Sequence, residues 1–190
     1  MSTAIFVLVM MNLAYIGLLP VIFFRRDGTL NYKWWLTAAP FFLSALFVAL
    51  HYIGLMQPWY GTKIGAVMEA TATVFSSTSI ALISYTLGTH RRRLSLWHQQ
   101  NDSPKHIVTD GAYKYIRHPF YAAFIATLLA TATLCGSPWT LGVCICGFLM
   151  LNYTAAREEK RLQQSEFAKQ YKAYITQSGR FFPNWRQVAR

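Results

Sequence analysis

The chain has 190 residues, of which 54% are hydrophobic, 16% aromatic and only 13% charged, which excludes an ordinary soluble domain. Its formal net charge of +11 would suit a nucleic-acid partner. No aromatic–basic binding pattern accompanies that charge, and its distribution along the chain points to a membrane instead.

The first element is the run from Ser2 to Phe24, which holds no charged residue. About 20 apolar residues cross a bilayer as a helix, so this run is long enough. It makes a poor signal peptide, because it lacks a basic start and a small-residue cleavage site and stops at Arg25 and Arg26. Trp34 to Met56 and Ile64 to Gly88 are the second and third spans. The longest polar connection follows, from Thr89 to Arg117, with a turn-like centre from Gln99 to Pro104. The run from Phe120 to Cys135 then goes out, Gly136-Ser137-Pro138 turns the chain, and Trp139 to Ala156 comes back. These two arms are short for spanning, so they are expected to thin the bilayer locally or to sit partly among other helices. The tail from Arg157 to Tyr174 reads as one amphipathic helix at headgroup level, with Leu162, Phe167, Tyr171 and Tyr174 on one face. Ser178-Gly179 stops it, and Phe181, Phe182 and Trp185 follow as interfacial anchors.

With five spans, 17 of the 18 Lys and Arg residues fall on one side, and only Lys63 falls on the other. This positive-inside bias places the N-terminus outside and the C-terminus in the cytoplasm. The expected fold is therefore an all-α integral membrane protein with five transmembrane helices and a cytoplasmic C-terminal amphipathic helix. It forms a single membrane domain over residues 1–190, with three spans and a loop in 1–100 and the functional hairpin and tail in 101–190. The expected setting is a bacterial inner membrane with the site facing the cytoplasm. The expected partners are membrane lipid and a lipophilic small molecule or lipid-modified substrate, with no nucleic acid.

Several polar residues lie inside the spans. Glu69 and His51 sit at similar depth on consecutive spans and are expected to pair. Thr71, Thr73, Ser76, Ser77, Thr78, Ser79 and Ser84 give span three a small, hydroxyl-rich surface suited to close helix packing. Cys135, Cys144 and Cys146 include no CxxC pair and are odd in number, so they read as small apolar residues rather than a disulfide framework.

The candidate chemistry lies at the hairpin. His90, His98 and His106 are eight residues apart, there is no HExxH, and no metal site is expected. No glycine-rich phosphate loop and no GxSxG elbow is present. Pro119 suits the first turn of a helix, so Arg117 and His118 fall at a helix start, where free amides and the helix dipole favour an anion. Glu158 and Glu159 leave the other arm at the same level and favour a cation. A zwitterionic ligand satisfies both; a surface salt-bridge cluster is the competing explanation.

Four stretches, in this order around a helical hairpin, resemble the isoprenylcysteine carboxyl methyltransferase family of integral membrane enzymes. They are His106 to Tyr113 (HIVTDGAY), Arg117 to Tyr121 (RHPFY), Arg157 to Leu162 (REEKRL), and Phe167 to Tyr174 (FAKQYKAY) ending in Gly179 to Pro183 (GRFFP). The resemblance implies S-adenosylmethionine as methyl donor and a lipophilic acceptor entering from the bilayer. Carried over residue by residue, it puts His106, Ile107, Val108 and Tyr113 on the adenosine side, and His118, Pro119 and Tyr121 at the hairpin start. Glu158 would face the ammonium end of the cofactor. Arg117 and Glu159 would act in catalysis, Arg117 by orienting a carboxylate, and Arg157 would meet the substrate. Two positions depart from the family pattern. Ala122-Ala123 follow the tyrosine where a glycine is usual, and Thr154 holds the place of an arginine carried by the family's enzymes on prenylated substrates. The leading expectation is carboxyl O-methylation of an isoprenylcysteine-like substrate. The alternatives are a phospholipid amine N-methyltransferase, an NADPH-dependent sterol-type reductase and a non-catalytic membrane binding protein.

Overall fold

A computed structural model describes residues 1–19, 23–24, 27–89 and 107–184. Among these the regular structure is helical: α1 (Thr3–Gly17), α2 (Tyr32–Tyr52), α3 (Thr62–Thr89), α4 (Pro119–Cys135), α5 (Pro138–Gln163) and α6 (Ala168–Gln177), with a 3₁₀ turn at Gly111–Lys114 and no strands. The expected Gln99–Pro104 turn, the basic residues Arg25, Arg26 and Arg91 to Arg93, the histidines His90, His98 and His106, and the anchor Trp185 lie outside the described residues.

Three helices, α2, α3 and α5, are long and apolar enough to cross a membrane. The other two apolar helices are shorter, 15 residues for α1 and 17 for α4. At 1.5 Å per residue α4 reaches about 26 Å, a little under the hydrocarbon thickness of about 30 Å. Within the first expected span, Ser2 to Phe24, α1 ends at Gly17. Leu18 caps it, and Leu19 precedes Pro20, a position pushed away from helical dihedrals by the proline ring.

The hairpin turn is where the sequence placed it. Gly136 has φ +47°, and a Cβ there would collide with the Tyr60 ring. The Gly136 carbonyl accepts a hydrogen bond from the Trp59 amide at 2.9 Å. Glycine is the residue that meets both demands. The second arm departs from expectation: α5 runs unbroken through Gln163, so the change from apolar to charged side chains at Arg157 is not a helix end. Ala155 through Leu162 are good helix formers, and helix hydrogen bonding is indifferent to side-chain polarity. The break comes at Ser165, whose hydroxyl donates to the Leu162 carbonyl and accepts from the Phe167 amide.

The chain forms two compact units, 1–80 with 123–150, and 81–122 with 151–190. The first unit packs α1, α2 and parts of α3, α4 and α5 around Val9, Leu13, Val48, Ala72, Ala130 and Leu134. Its outer surface is apolar, with Leu18, Phe42, Leu46, Val67, Val74, Ile145 and Leu149 exposed. Exposed apolar side chains on this scale suit lipid rather than water. Within this unit Asn12, Ser79 and Thr127 form a fully buried ring of hydrogen bonds of 2.9–3.1 Å. The expected His51–Glu69 pair takes another form: His51 Nδ1 lies 3.0 Å from the Met56 carbonyl, and Glu69 Oε1 lies 3.3 Å from the Met1 amine.

The second unit is built on the ends of α3, α5 and the tail. Its buried residues include Ile83, Ala112, Leu151, Ala155, Tyr171, Tyr174 and Phe181. Tyr171 and Tyr174 on α6 face this interior, and the Tyr174 hydroxyl donates to the Tyr113 carbonyl. The aromatic face of the tail helix is thus covered by protein at Tyr171 and Tyr174.

Candidate functional site

The second unit gathers the chemistry-bearing residues. Gly111, at φ +58° and pressed against Thr89, opens the 3₁₀ turn that carries Tyr113. Residues 115–118 then pair with the tail in a short ladder. The Gly179 amide donates to the Tyr115 carbonyl at 3.0 Å, the Arg117 amide to the Gly179 carbonyl at 2.8 Å, and the His118 amide to the Arg180 carbonyl at 3.1 Å. Pro119 follows as the buried first residue of α4, and the Ala122 amide closes the first turn on the His118 carbonyl at 2.9 Å. The amides of Arg117 and His118, expected to be open to an anion, are therefore occupied by tail carbonyls.

Against this corner stand Glu158 and Glu159 of α5, which are only 7% and 5% exposed. Adjacent residues on a helix point about 100° apart, and the two carboxylates meet different partners. Glu159 is saturated. Arg117 Nε donates to its Oε1 at 3.0 Å. Arg180 donates to both oxygens, from Nε to Oε1 at 3.1 Å and from Nη2 to Oε2 at 2.6 Å. Arg117 also reaches the Ser178 carbonyl. Glu158 accepts a hydrogen bond from the Tyr121 hydroxyl at 2.8 Å. Removing one member of the buried Arg117–Glu159 pair would leave the other uncompensated, a cost of about 3–5 kcal/mol.

His118 stands between the two carboxylates with its side chain 10% exposed. Its Nδ1 is 3.6 Å from Glu158 Oε2, and its Nε2 is 3.4 Å from Glu159 Oε1. The second distance lacks hydrogen-bond alignment, so Nε2 is a buried polar atom without a satisfied bond. The ring lies parallel to Tyr121 at 5.3 Å between centroids. Burial pushes the His118 imidazole below the ordinary histidine range, against the opposing pull of Glu159 and with the help of Arg117 and Arg180. The imidazole is therefore neutral near pH 7. Burial also pushes the phenols of Tyr113 and Tyr171 well above their ordinary value, and that of Tyr174 up to about 12. All three remain hydroxyls.

The structure thus brings together Arg117, His118, Pro119, Tyr121, Glu158 and Glu159 from the sequence-derived set. Ile107 and Val108 are half-buried just ahead of the 3₁₀ turn, and His106 lies outside the described residues. Arg157 is exposed and stacks on the exposed Tyr153 ring, 5.7 Å from its centroid. Two residues missed by the sequence reading belong to the cluster: Arg180, and Asn152, whose Oδ1 accepts from Arg180 Nη1 at 2.9 Å. Arg180 sat within the quoted GRFFP stretch, but no spacing rule joins it to a carboxylate 21 positions earlier. Among the described residues, no group of three or more His, Cys, Asp or Glu is placed to hold a metal ion.

Residues 85–167 match the model of the isoprenylcysteine carboxyl methyltransferase family. That segment contains the 3₁₀ turn, the hairpin and both glutamates, and ends before α6. Neither the comparison with curated proteins nor that with solved structures gave a match.

Proposed function

We propose that this chain, whose residues 85–167 match the model of the isoprenylcysteine carboxyl methyltransferase family, is an S-adenosylmethionine-dependent methyltransferase acting on a lipophilic acceptor in the membrane. The observation that carries the reading is the unequal state of the two glutamates. A buried carboxylate fully engaged by cations needs nothing more. Glu158, whose carboxyl is pushed up to about 7 by burial, holds one tyrosine hydroxyl and a neutral imidazole. In its ionised form, which a bound cation would favour, it has about four lone-pair sites. Its remaining capacity fits an ammonium group, and His118 Nε2, on the far edge of the ring toward Glu159, still lacks a hydrogen bond.

The roles of the chain's residues follow from that fit. Glu158 would bind the ammonium end of the cofactor, with Tyr121 orienting the carboxylate. Ile107, Val108 and Tyr113 would cover the adenosine, and His118 with Pro119 would form the wall at the start of α4. Bound S-adenosylmethionine supplies an electrophilic methyl group on a sulfonium, displaced in line. The chain itself would orient the acceptor, exclude water from it and hold the counter-charge. A carboxylate acceptor is already ionised near pH 7 and needs no base. Carboxyl O-methylation of an isoprenylcysteine-like substrate is the leading reaction. Arg157 is the guanidinium proposed to meet that carboxylate, since Glu159 engages both Arg117 and Arg180.

One observation favours a second reading, amine N-methylation of a phospholipid headgroup. An amine must lose a proton before attack, and a buried imidazole held neutral between two carboxylates is equipped to take it. In either case the proposed topology is five spans, with the site at the cytoplasmic edge of the bilayer and α1 and α4 crossing where it is thin.

Calorimetric titration of the detergent-purified chain with S-adenosylhomocysteine, with NADPH as control, tests this reading. Binding of the first alone is the expected result. Binding of NADPH alone would transfer the chain to the reductases, and binding of neither would leave the cluster a purely structural one.

A further inference from the structure

The tail residue Arg180 is tied to His118 from both ends. Its backbone carbonyl accepts the His118 amide at 3.1 Å, which fixes the main chain where α4 begins. Its guanidinium grips both oxygens of Glu159, and Oε1 of that carboxylate lies 3.4 Å from His118 Nε2. The third donor, Nη1, bonds Asn152 two helical turns earlier on α5. One fork therefore spans the α5 face beside the imidazole. The backbone that presents it is equally specified: a Cβ at Gly179 would collide with the Phe182 carbonyl, so the turn before and after Arg180 accepts no larger residue without shifting. Phe181, 7% exposed, places its ring 6.2 Å from the imidazole centroid.

We infer that Arg180 is a positioning residue, holding the His118 imidazole in place through Glu159 and through its own main chain. Arg117 does not duplicate it. Arg117 gives Glu159 one hydrogen bond and spends Nη1 on tail carbonyls, whereas Arg180 supplies the two-pronged contact that fixes the carboxylate plane. A lysine at position 180 would keep the charge but not the fork.

A purely structural arginine and a positioning one differ in a measurable way. The groups facing His118 are Glu158 and Glu159 from α5, Tyr121 from α4, Arg117 from its own segment and Arg180 from the tail. Loss of Arg180 removes one cation and frees part of Glu159 to face the imidazole. Both changes favour the protonated ring, so the His118 titration should move up.

The test is NMR titration of histidine-labelled full-length protein in detergent, with Arg180→Ala, Arg180→Lys and, to assign the signal, His118→Asn. The expected result is an upward shift of the His118 midpoint by about one pH unit, a tenfold gain in proton affinity, in Arg180→Ala, and a smaller shift in Arg180→Lys. An unmoved midpoint in folded Arg180→Ala overturns the inference. Should that variant not fold, an unmoved midpoint in Arg180→Lys does the same. The same samples are titrated with S-adenosylhomocysteine, a readout that rests on the proposed function. About tenfold weaker binding in Arg180→Ala is expected because the His118 imidazole that walls the cofactor loses its fixed place, and wild-type affinity there overturns the inference. Absence of binding in the unmodified protein would sink the methyltransferase reading alone, leaving the midpoint to decide the role of Arg180.

Discussion

In the first unit Asn12, Ser79 and Thr127 close a ring of hydrogen bonds among neutral side chains, all fully buried. In the second, Arg117, His118, Tyr121, Glu158, Glu159 and Arg180 form a less completely buried cluster of opposite character, with the Arg180 side chain 34% exposed. The neutral ring satisfies itself, with the Thr127 hydroxyl also placed 3.1 Å from the Ala123 carbonyl. The charged cluster is saturated at Glu159 and keeps spare acceptor capacity at Glu158, which takes one tyrosine hydroxyl, while His118 Nε2, facing Glu159, also lacks a hydrogen bond. Polar groups inside a membrane protein are costly, so a closed set reads as helix packing. An open set persists only if something else completes it. That difference separates a fastening from a site without reference to any relative.

The sharpest way to break the contrast is to alter each set and read the same titration. Glu158→Gln and His118→Ala are expected to weaken S-adenosylhomocysteine binding by at least about 100-fold, the size of one or two charged hydrogen bonds. Asn12→Ala should leave that affinity unchanged. Equal losses from the two sets would show that both are merely structural. Tyr121→Phe probes the boundary of the open set, since it removes the hydroxyl that bonds Glu158. Calorimetry should then find binding about tenfold weaker, with the ring stacking on His118 retained. An unaffected Tyr121→Phe would mean that Glu158 is oriented without it.

The closed set makes its own prediction. Interhelical hydrogen bonds in membranes contribute about 0.6 kcal/mol on average and up to about 1.7. Asn12→Ala should therefore lower thermal stability in detergent modestly, and a double-mutant cycle with Thr127→Val should return a coupling of about that size. A coupling of several kcal/mol would place Asn12 in something larger than a packing contact.

Much of both regions was legible beforehand, and the failures have physical causes. Pro119, Gly136 and Pro138 punctuate the chain strongly enough to fix the hairpin, and Arg117 with the paired glutamates marked its mouth. The extent of α5 was not legible, because a shift from Ala156 to Arg157 looks like an end to a reading based on hydropathy while helix propensity continues. The aromatic face of α6 was read as lipid-facing because periodicity shows that a face is apolar, not what covers it. The neutral ring was half visible: Ser79 was noticed among the hydroxyls of the third span, but Asn12 and Thr127 reach it from helices far away in sequence. Arg180 was hidden for the same reason, since only the backbone pairing of 115–118 with 179–180 carries it to Glu159.

The smallest expected effect concerns protons. The neutral ring has no group that titrates, whereas His118 in the charged cluster has its affinity for a proton lowered by burial. A histidine whose folded value lies below the unfolded one, about 6.5, stabilises the fold fully at higher pH. As pH falls past 6.5 the unfolded chain takes up the proton first, and the stabilisation is lost progressively until pH passes the folded value. The difference in unfolding temperature between the unmodified protein and His118→Asn should then be constant from pH 8 to about 7 and shrink below about 6.5. The same difference measured between the unmodified protein and Asn12→Ala should stay level over that range. A His118→Asn difference that grows on acidification would mean that Glu158 and Glu159 outweigh burial and hold the ring charged, which would remove the amine reading by removing its base.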